Sequence, residues 1–224
     1  MNNVVPMNIR HRLRIRFRRG EEVKFISHLD IIRLWQRALT RAGISLAYSE
    51  GFNPHPRISL AAPLALGVTS DAELMDISLA KWISPDSFTT AVSQQLPTGI
   101  ELLQVYQMPV TMPSLQSQVR RAEYTVVIAT STGQEEIAEA MASLLAREHL
   151  PWQHMRDTGP HRYDLRALID DLWLIKWRPG CCEIGMSLRC DSSGSGRPEQ
   201  VTAALGFENH PHSIHRTRLI LRTS

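Results

Sequence analysis

Long hydrophobic runs are missing from this sequence. None of its apolar stretches approaches the ~20 residues that cross a bilayer as a helix, which excludes a bundle of membrane-spanning helices. Cysteine is scarce: there are three, and two of them, Cys181 and Cys182, are adjacent. An odd count with that spacing excludes a disulfide framework. No C-x-x-C pair and no C-x-x-x-C-x-x-C run is present, so no iron–sulfur cluster site is encoded. The phosphate-cradling G-x-x-x-x-G-K-[ST] and G-x-G-x-x-G patterns and the G-x-S-x-G elbow are missing too, which removes any sequence support for nucleotide-driven or triad chemistry. The opening Met1 to Asn8 has no charged-then-apolar leader pattern. Together with the free thiols this makes a reducing, bacterial-type cytoplasm the expectation.

Lysine is nearly absent as well. Of 25 Lys+Arg, only Lys24, Lys81 and Lys176 are lysine. The remaining cations are planar guanidinium forks suited to phosphates and carboxylates. They are also clustered. Residues 1–60 carry 11 Lys+Arg against 4 Asp+Glu, residues 61–119 carry 1 against 5, and residues 120–224 carry 13 against 13. Genomic base composition explains arginine over lysine but not this clustering. With 43% hydrophobic and 21% charged residues among 224, the composition is that of a folded protein with one large or two smaller domains.

Two arginine rows stand out. In His11–Arg18, Leu13, Ile15 and Phe17 alternate with Arg10, Arg12, Arg14, Arg16 and Arg18, the period of a half-buried strand. Ser27, followed by Asp30, opens a helix whose apolar residues Leu29, Ile32, Trp35, Leu39 and Ala42 share a face, with Gly43 as its stop. On that helix Arg33, Arg37 and Arg41 recur every four residues. Ile44 to Tyr48 is expected to be a short strand. A stiff Gly51-Phe52-Asn53-Pro54-His55-Pro56 connection follows, with prolines restraining Asn53 and His55. Strands are expected at Ile58–Ala61 and Glu73–Leu79. Ser84 and Pro85 open a second helix, and Ile100–Tyr106 forms a closing strand. Pro109 to Gln118 reads as a linker. Strand, helix, hairpin, helix and strand then recur from Glu123 to Leu221. Trp152–Met155 and His161–Leu168 are extended in this reading, Arg178-Pro179-Gly180 makes a hairpin turn, and Ser192–Gly196 a loop. The predicted fold is α+β, two tandem ferredoxin-like (βαββαβ) domains at residues 1–108 and 120–224, with the linker at 109–119.

For function, the arginine face of the first strand suits RNA phosphates and unstacked bases. Equally, some of these arginines could pair with carboxylates on neighbouring strands, such as Asp76. Asn53, His55 and Arg57 could contact a base, a sugar and a phosphate, or simply form a stiff turn. His28, at a helix N-terminus, is either an anion contact or part of a cap. The candidate RNA-binding residues are therefore Arg12, Arg14, Arg16, Arg18, His28, Arg33, Arg37, Arg41, Asn53, His55 and Arg57. His210, His212 and His215 match no metal-ligand spacing, and a solvated loop is the favoured reading. No catalytic residue, metal or cofactor is assigned.

Arg14-Ile15-Arg16-Phe17, Phe25 to Asp30 and Ala47 to Ser59 resemble the bacterial "radical SAM-linked protein" family, DUF2344. Arg162 to Arg166, Arg197 to Val201 and Ile214 to Thr217 fit as well, so the resemblance spans nearly the whole chain. Members are often fused to, or encoded beside, a radical-SAM enzyme. The resemblance therefore implies a stand-alone companion of such an enzyme, since the cluster-binding cysteines are lacking, and it carries over no catalytic residue. At the level of fold the doubled arrangement is also similar to the CRISPR repeat-processing endoribonucleases, which does not assign a function. The expectation is an RNA-binding accessory protein acting on ribosomal or transfer RNA beside a radical-SAM or RNA-processing enzyme, with no membrane partner. Two alternatives stay open. One is a docking module for a radical-SAM enzyme that binds no RNA. The other is an RNA-cleaving or RNA-modifying enzyme using His28 and His55.

Overall fold

The computed structural model describes residues 11–156, 159–191 and 193–222. Arg10, the opening Met1 to Asn8 and Ser192 lie outside them. The chain divides into two compact units, Met1–Val119 and Arg120–Ser224. Both are mixed α+β, and among the described residues there are five α-helices. None is long and apolar enough to cross a membrane.

The first unit runs β1 (His11–Arg19), α1 (His28–Arg41), β2 (Ile58–Leu60), β3 (Thr69–Leu79), α2 (Pro85–Ser93), β4 (Ile100–Met108) and α3 (Leu115–Gln118). β1 is central, antiparallel to β3 on one side and to β4 on the other, and β2 adds antiparallel to β3. The strand order is therefore β4-β1-β3-β2. Leu13, Ile15 and Phe17 are buried in one core with Ile31, Trp35 and Leu39 of α1 and Phe88 and Val92 of α2. Phe17 meets the Trp35 ring edge-on at 5.0 Å, a favoured geometry for the ring quadrupoles. Both helices are capped as their sequences indicate: Ser27 accepts from the Asp30 N–H, and Ser84 from the Ser87 N–H with Pro85 in the first turn.

Two expectations are corrected here. Leu29 is exposed. The buried face is Ile31, Trp35, Ala38 and Leu39, and a residue two positions before Ile31 points roughly 200° away from it. Ile44 to Tyr48 is not a strand; it makes only single bridges, Leu46 to Leu79 and Tyr48 to Pro56. Ile58–Leu60 pairs with Ile77–Met75, so the Ile44–Tyr48 segment reaches only the end of β3, with the Ala47 N–H donating to the Ser78 carbonyl and the Ala80 N–H to the Ser45 carbonyl. Residues 109–119 contain α3, and the Arg12 guanidinium donates to the Met112 and Pro113 carbonyls.

The second unit comprises β5 (Val119–Thr130), which begins at the boundary, then α4 (Gln134–Ala146), β6 (Pro151–Arg156), β7 (Gly159–Asp164), β8 (Ile169–Arg178), β9 (Gly180–Asp191), β10 (Gly194–Ser195), α5 (Pro198–Ala204) and β11 (Ser213–Leu221). β9 is antiparallel to β5 on one side and to β8 on the other, β11 lies beside β5, and β10 folds back on the end of β9. The order β11-β5-β9-β8 repeats that of the first unit, position for position. β6 and β7 form a separate hairpin, where the sequence suggested two extended segments, Trp152–Met155 and His161–Leu168. Past β7, Arg166–Leu168 is a 3₁₀ turn. Gly180, at φ +86°, supplies the left-handed residue of the β8–β9 turn. Gly185 is required by proximity: a Cβ there would lie 2.0 Å from the ring of Trp173, its partner on β8.

Candidate nucleic-acid interface

The alternation of β1 decides where its arginines go. Leu13, Ile15 and Phe17 face the helices, so Arg12, Arg14, Arg16 and Arg18 project from the opposite side of the sheet. They are not a row of free cations. Asp76, directly across from Arg14 on β3, receives both Arg14 and Arg12. Arg14 donates through Nε at 2.8 Å and Nη2 at 3.0 Å, and Arg12 through Nη2 at 2.5 Å. Arg14 is buried and also reaches Gln118. Arg16, half-buried, donates to the Asp71 carbonyl, while exposed Arg18 joins the Asp71 and Glu101 carboxylates. The carboxylate-pairing alternative therefore describes Arg12, Arg14 and Arg18. Arg14 cannot meet a phosphate without giving up its two-point bond to the buried Asp76 carboxylate.

The α1 arginines behave differently. The face of α1 opposite its buried stripe carries Asp30, Arg33, Gln36, Arg37, Thr40 and Arg41 around one shallow groove. Arg33, Arg37 and Arg41 are all exposed. Arg33 pairs with Asp30 at 3.0 Å, and Arg41 donates to the Gln95 carbonyl at 2.8 Å. Asp30 is held below the usual carboxylate range by the Ser27 hydroxyl first and by Arg33 next. Because α1 covers the helix side of the sheet, this row and the β1 row face away from each other. The structure does not join them into one basic surface.

The proline-bounded loop stands out from the unit. The Ser49 N–H donates to the His55 carbonyl at 2.8 Å, and the Ser49 hydroxyl accepts from the His55 N–H at 2.9 Å. These two bonds close the loop and leave Asn53 and the His55 ring exposed. Arg57 is half-buried and donates to the Tyr48 carbonyl. Phe52 at the loop tip is fully exposed. It is not among the sequence candidates; the available signal was an aromatic residue between Gly51 and Asn53, followed by two prolines.

His28 is half-buried rather than presented to solvent, and burial, then Arg19, lowers its pKa while Glu73 opposes them. Arg19 and Glu73 are themselves buried. Arg19 donates to the Val23 and Ile26 carbonyls, so it fastens the turn that leads into α1. This cluster, unlike the α1 row, is part of the fold's interior. His210 and His212 are exposed, and among the described residues no three metal-ligating side chains gather at one point.

Among solved structures the chain is similar to one in a Cbf5–Nop10–Gar1 complex, at 9% identity and a TM-score of 0.51, covering 97% of this chain and 51% of that one. An H/ACA RNP bound to a substrate RNA containing 2'-deoxyuridine follows at 9% identity and a TM-score of 0.49, covering 97% and 50%. The chain thus spans about half the length of the chains it resembles, and at such identities the likeness is one of fold. No curated protein matches. A bacterial family described as "Uncharacterized protein conserved in bacteria" matches residues 12–198.

Proposed function

The chain belongs to that bacterial family, DUF2344, and from this premise we propose that it is an RNA-binding accessory protein of the cytoplasm. It acts on ribosomal or transfer RNA beside a radical-SAM or RNA-processing enzyme, and its two units are ferredoxin-like. One observation carries the reading: three exposed arginines one turn apart on the outer face of α1, with a single carboxylate among them. Such a row neutralises successive phosphates. The exposed Phe52, Asn53 and His55 of the closed loop offer a stacking ring and polar groups to an unpaired base. The association with a radical-SAM enzyme rests on the family resemblance of the sequence and on the lack of cluster-binding cysteines.

The deciding measurement is the salt dependence of RNA binding. Each phosphate contact adds about 0.7 to the log–log salt slope for single strands. Arg37→Gln with Arg41→Gln is expected to weaken binding of ribosomal or transfer RNA and to flatten the slope by roughly 1.4. A wild-type chain that ignores both RNAs at low salt overturns the reading and favours the docking module. The enzymatic alternative has less support: His28 is half-buried and feels the charges of the buried Arg19 and Glu73, and His55 bonds to Ser49 through its main chain.

A further inference from the structure

The second unit contains a cleft of about 350 Å³ that the arginine rows do not touch. One wall is the β6–β7 hairpin. His154 and His161 are directly opposite each other across its strands, and Tyr163 lies two residues beyond His161 on the same face. The His161 and Tyr163 rings stack with centroids 5.4 Å apart at 24°. His154 stands edge-on to both, at 5.4 and 5.6 Å. The Tyr163 hydroxyl donates to Gln200 Oε1 at 2.5 Å, which ties this aromatic wall to α5.

The other wall is cationic and hydroxylated: Arg189 from β9, Ser193 from the β9–β10 turn, Ser195 from β10, and Arg197 ahead of α5. Arg189 shares Asp191 at 3.9 Å, whose carboxylate is already held by the Ser193 N–H and hydroxyl. The one carboxylate in the lining, Asp164, is bound by the His149 ring and by the Leu150 and Arg166 N–H groups. Among the described residues Arg197 has no carboxylate partner. The cleft therefore combines a cluster of three aromatic rings, whose stacked His161–Tyr163 pair keeps its outer faces, with two guanidinium groups and two hydroxyls, and the one carboxylate in its lining is already bonded.

We propose that this cleft binds a single nucleotide, its base against the His161–Tyr163 wall and its phosphate between Arg189 and Arg197. Aromatic stacking accepts any base, and a planar guanidinium fork fits phosphate oxygens. The size falls within the 300–1,000 Å³ usual for small-molecule sites. Segments 162–166 and 197–201, which carry part of the family resemblance, converge here. The proposal does not depend on RNA binding by α1, because a free nucleotide presents the same groups as the end of an RNA chain.

The test is calorimetric titration of the full chain with the four ribonucleoside 5'-monophosphates, with ribose 5-phosphate and the nucleosides as half-ligands. The nucleotides are expected to bind at least tenfold tighter than either half. Arg197→Gln, at an exposed position, is expected to reduce affinity about tenfold with an unchanged melting temperature. Tyr163→Phe, which keeps the ring, should bind better than Tyr163→Leu. A short RNA with a 5'-monophosphate distinguishes the sources: tighter binding than the mononucleotide points to a chain end, equal or weaker binding to a free nucleotide. Ribose 5-phosphate binding as tightly as the nucleotides, no binding at millimolar nucleotide, or an Arg197→Gln variant that binds like the wild type would each overturn the proposal.

Discussion

Arg14 and Asp76 are cross-strand neighbours on β1 and β3 and meet in a two-point ion pair, Nε to Oδ1 at 2.8 Å and Nη2 to Oδ2 at 3.0 Å. Both side chains are more than nine-tenths buried. Arg12, next but one along β1, shares the same carboxylate. Two guanidinium groups thus depend on one aspartate, and that asymmetry has a measurable consequence.

Asp76→Ala removes the partner of two cations at once, whereas Arg14→Met leaves Asp76 with Arg12. Breaking a buried pair by deleting one partner costs about 3–5 kcal/mol, because the other charge stays buried without compensation. Asp76→Ala is expected to reach that range in denaturant unfolding, and Arg14→Met to cost clearly less. Equal losses would show that Arg12 does not support Asp76 when Arg14 is gone.

The same pair shows what was legible in the sequence. Alternation over residues 11–18 revealed the strand and its apolar side, because period two depends only on neighbours along the chain. Ser27 and Ser84 marked their helices for the same local reason. Asp76, 62 residues from Arg14, could be named as one candidate partner but not chosen, since register is set by long-range packing. The strand at Ile44–Tyr48 failed because its residues suit a strand while Ile58–Leu60 takes the β3 edge over Met75–Ile77 and leaves that segment only the end of β3. The second-unit cleft was not legible. Its walls come from the hairpin, the β9–β10 turn and the residues before α5, with no local spacing to announce them.

His55→Ala separates ligand binding from folding. The ring is exposed, and the bonds that close the loop belong to the main chain and to Ser49. A surface change of this kind moves stability by only ~0.5 kcal/mol. RNA affinity is expected to fall while the melting temperature stays within a degree or two. Ser49→Ala, in contrast, opens one of the loop's two closing bonds and should weaken RNA binding through loss of rigidity. A large thermal loss in His55→Ala would assign the ring a structural role.

Acid should weaken the first unit before its carboxylates titrate. His11 and His28 both lie below the ordinary histidine value of 6.5. Burial is the main cause for each; the Ile83 main chain opposes it at His11, while Arg19 adds to it and Glu73 opposes it at His28. A folded-state pKa below the unfolded one means the unfolded chain binds protons first. The stabilising contribution of the neutral rings is complete above pH 6.5 and declines as pH falls through that value toward the folded pKa. Asp30, Asp164 and Asp191, lowered from 3.8, contribute their own loss only in a more acidic window. Melting temperature is therefore expected to drop between pH 7.5 and pH 5.5, and His28→Gln, which cannot be protonated, to reduce that drop. A wild-type melting temperature that rises over the same interval would mean that Glu73 governs His28 and holds it charged in the fold.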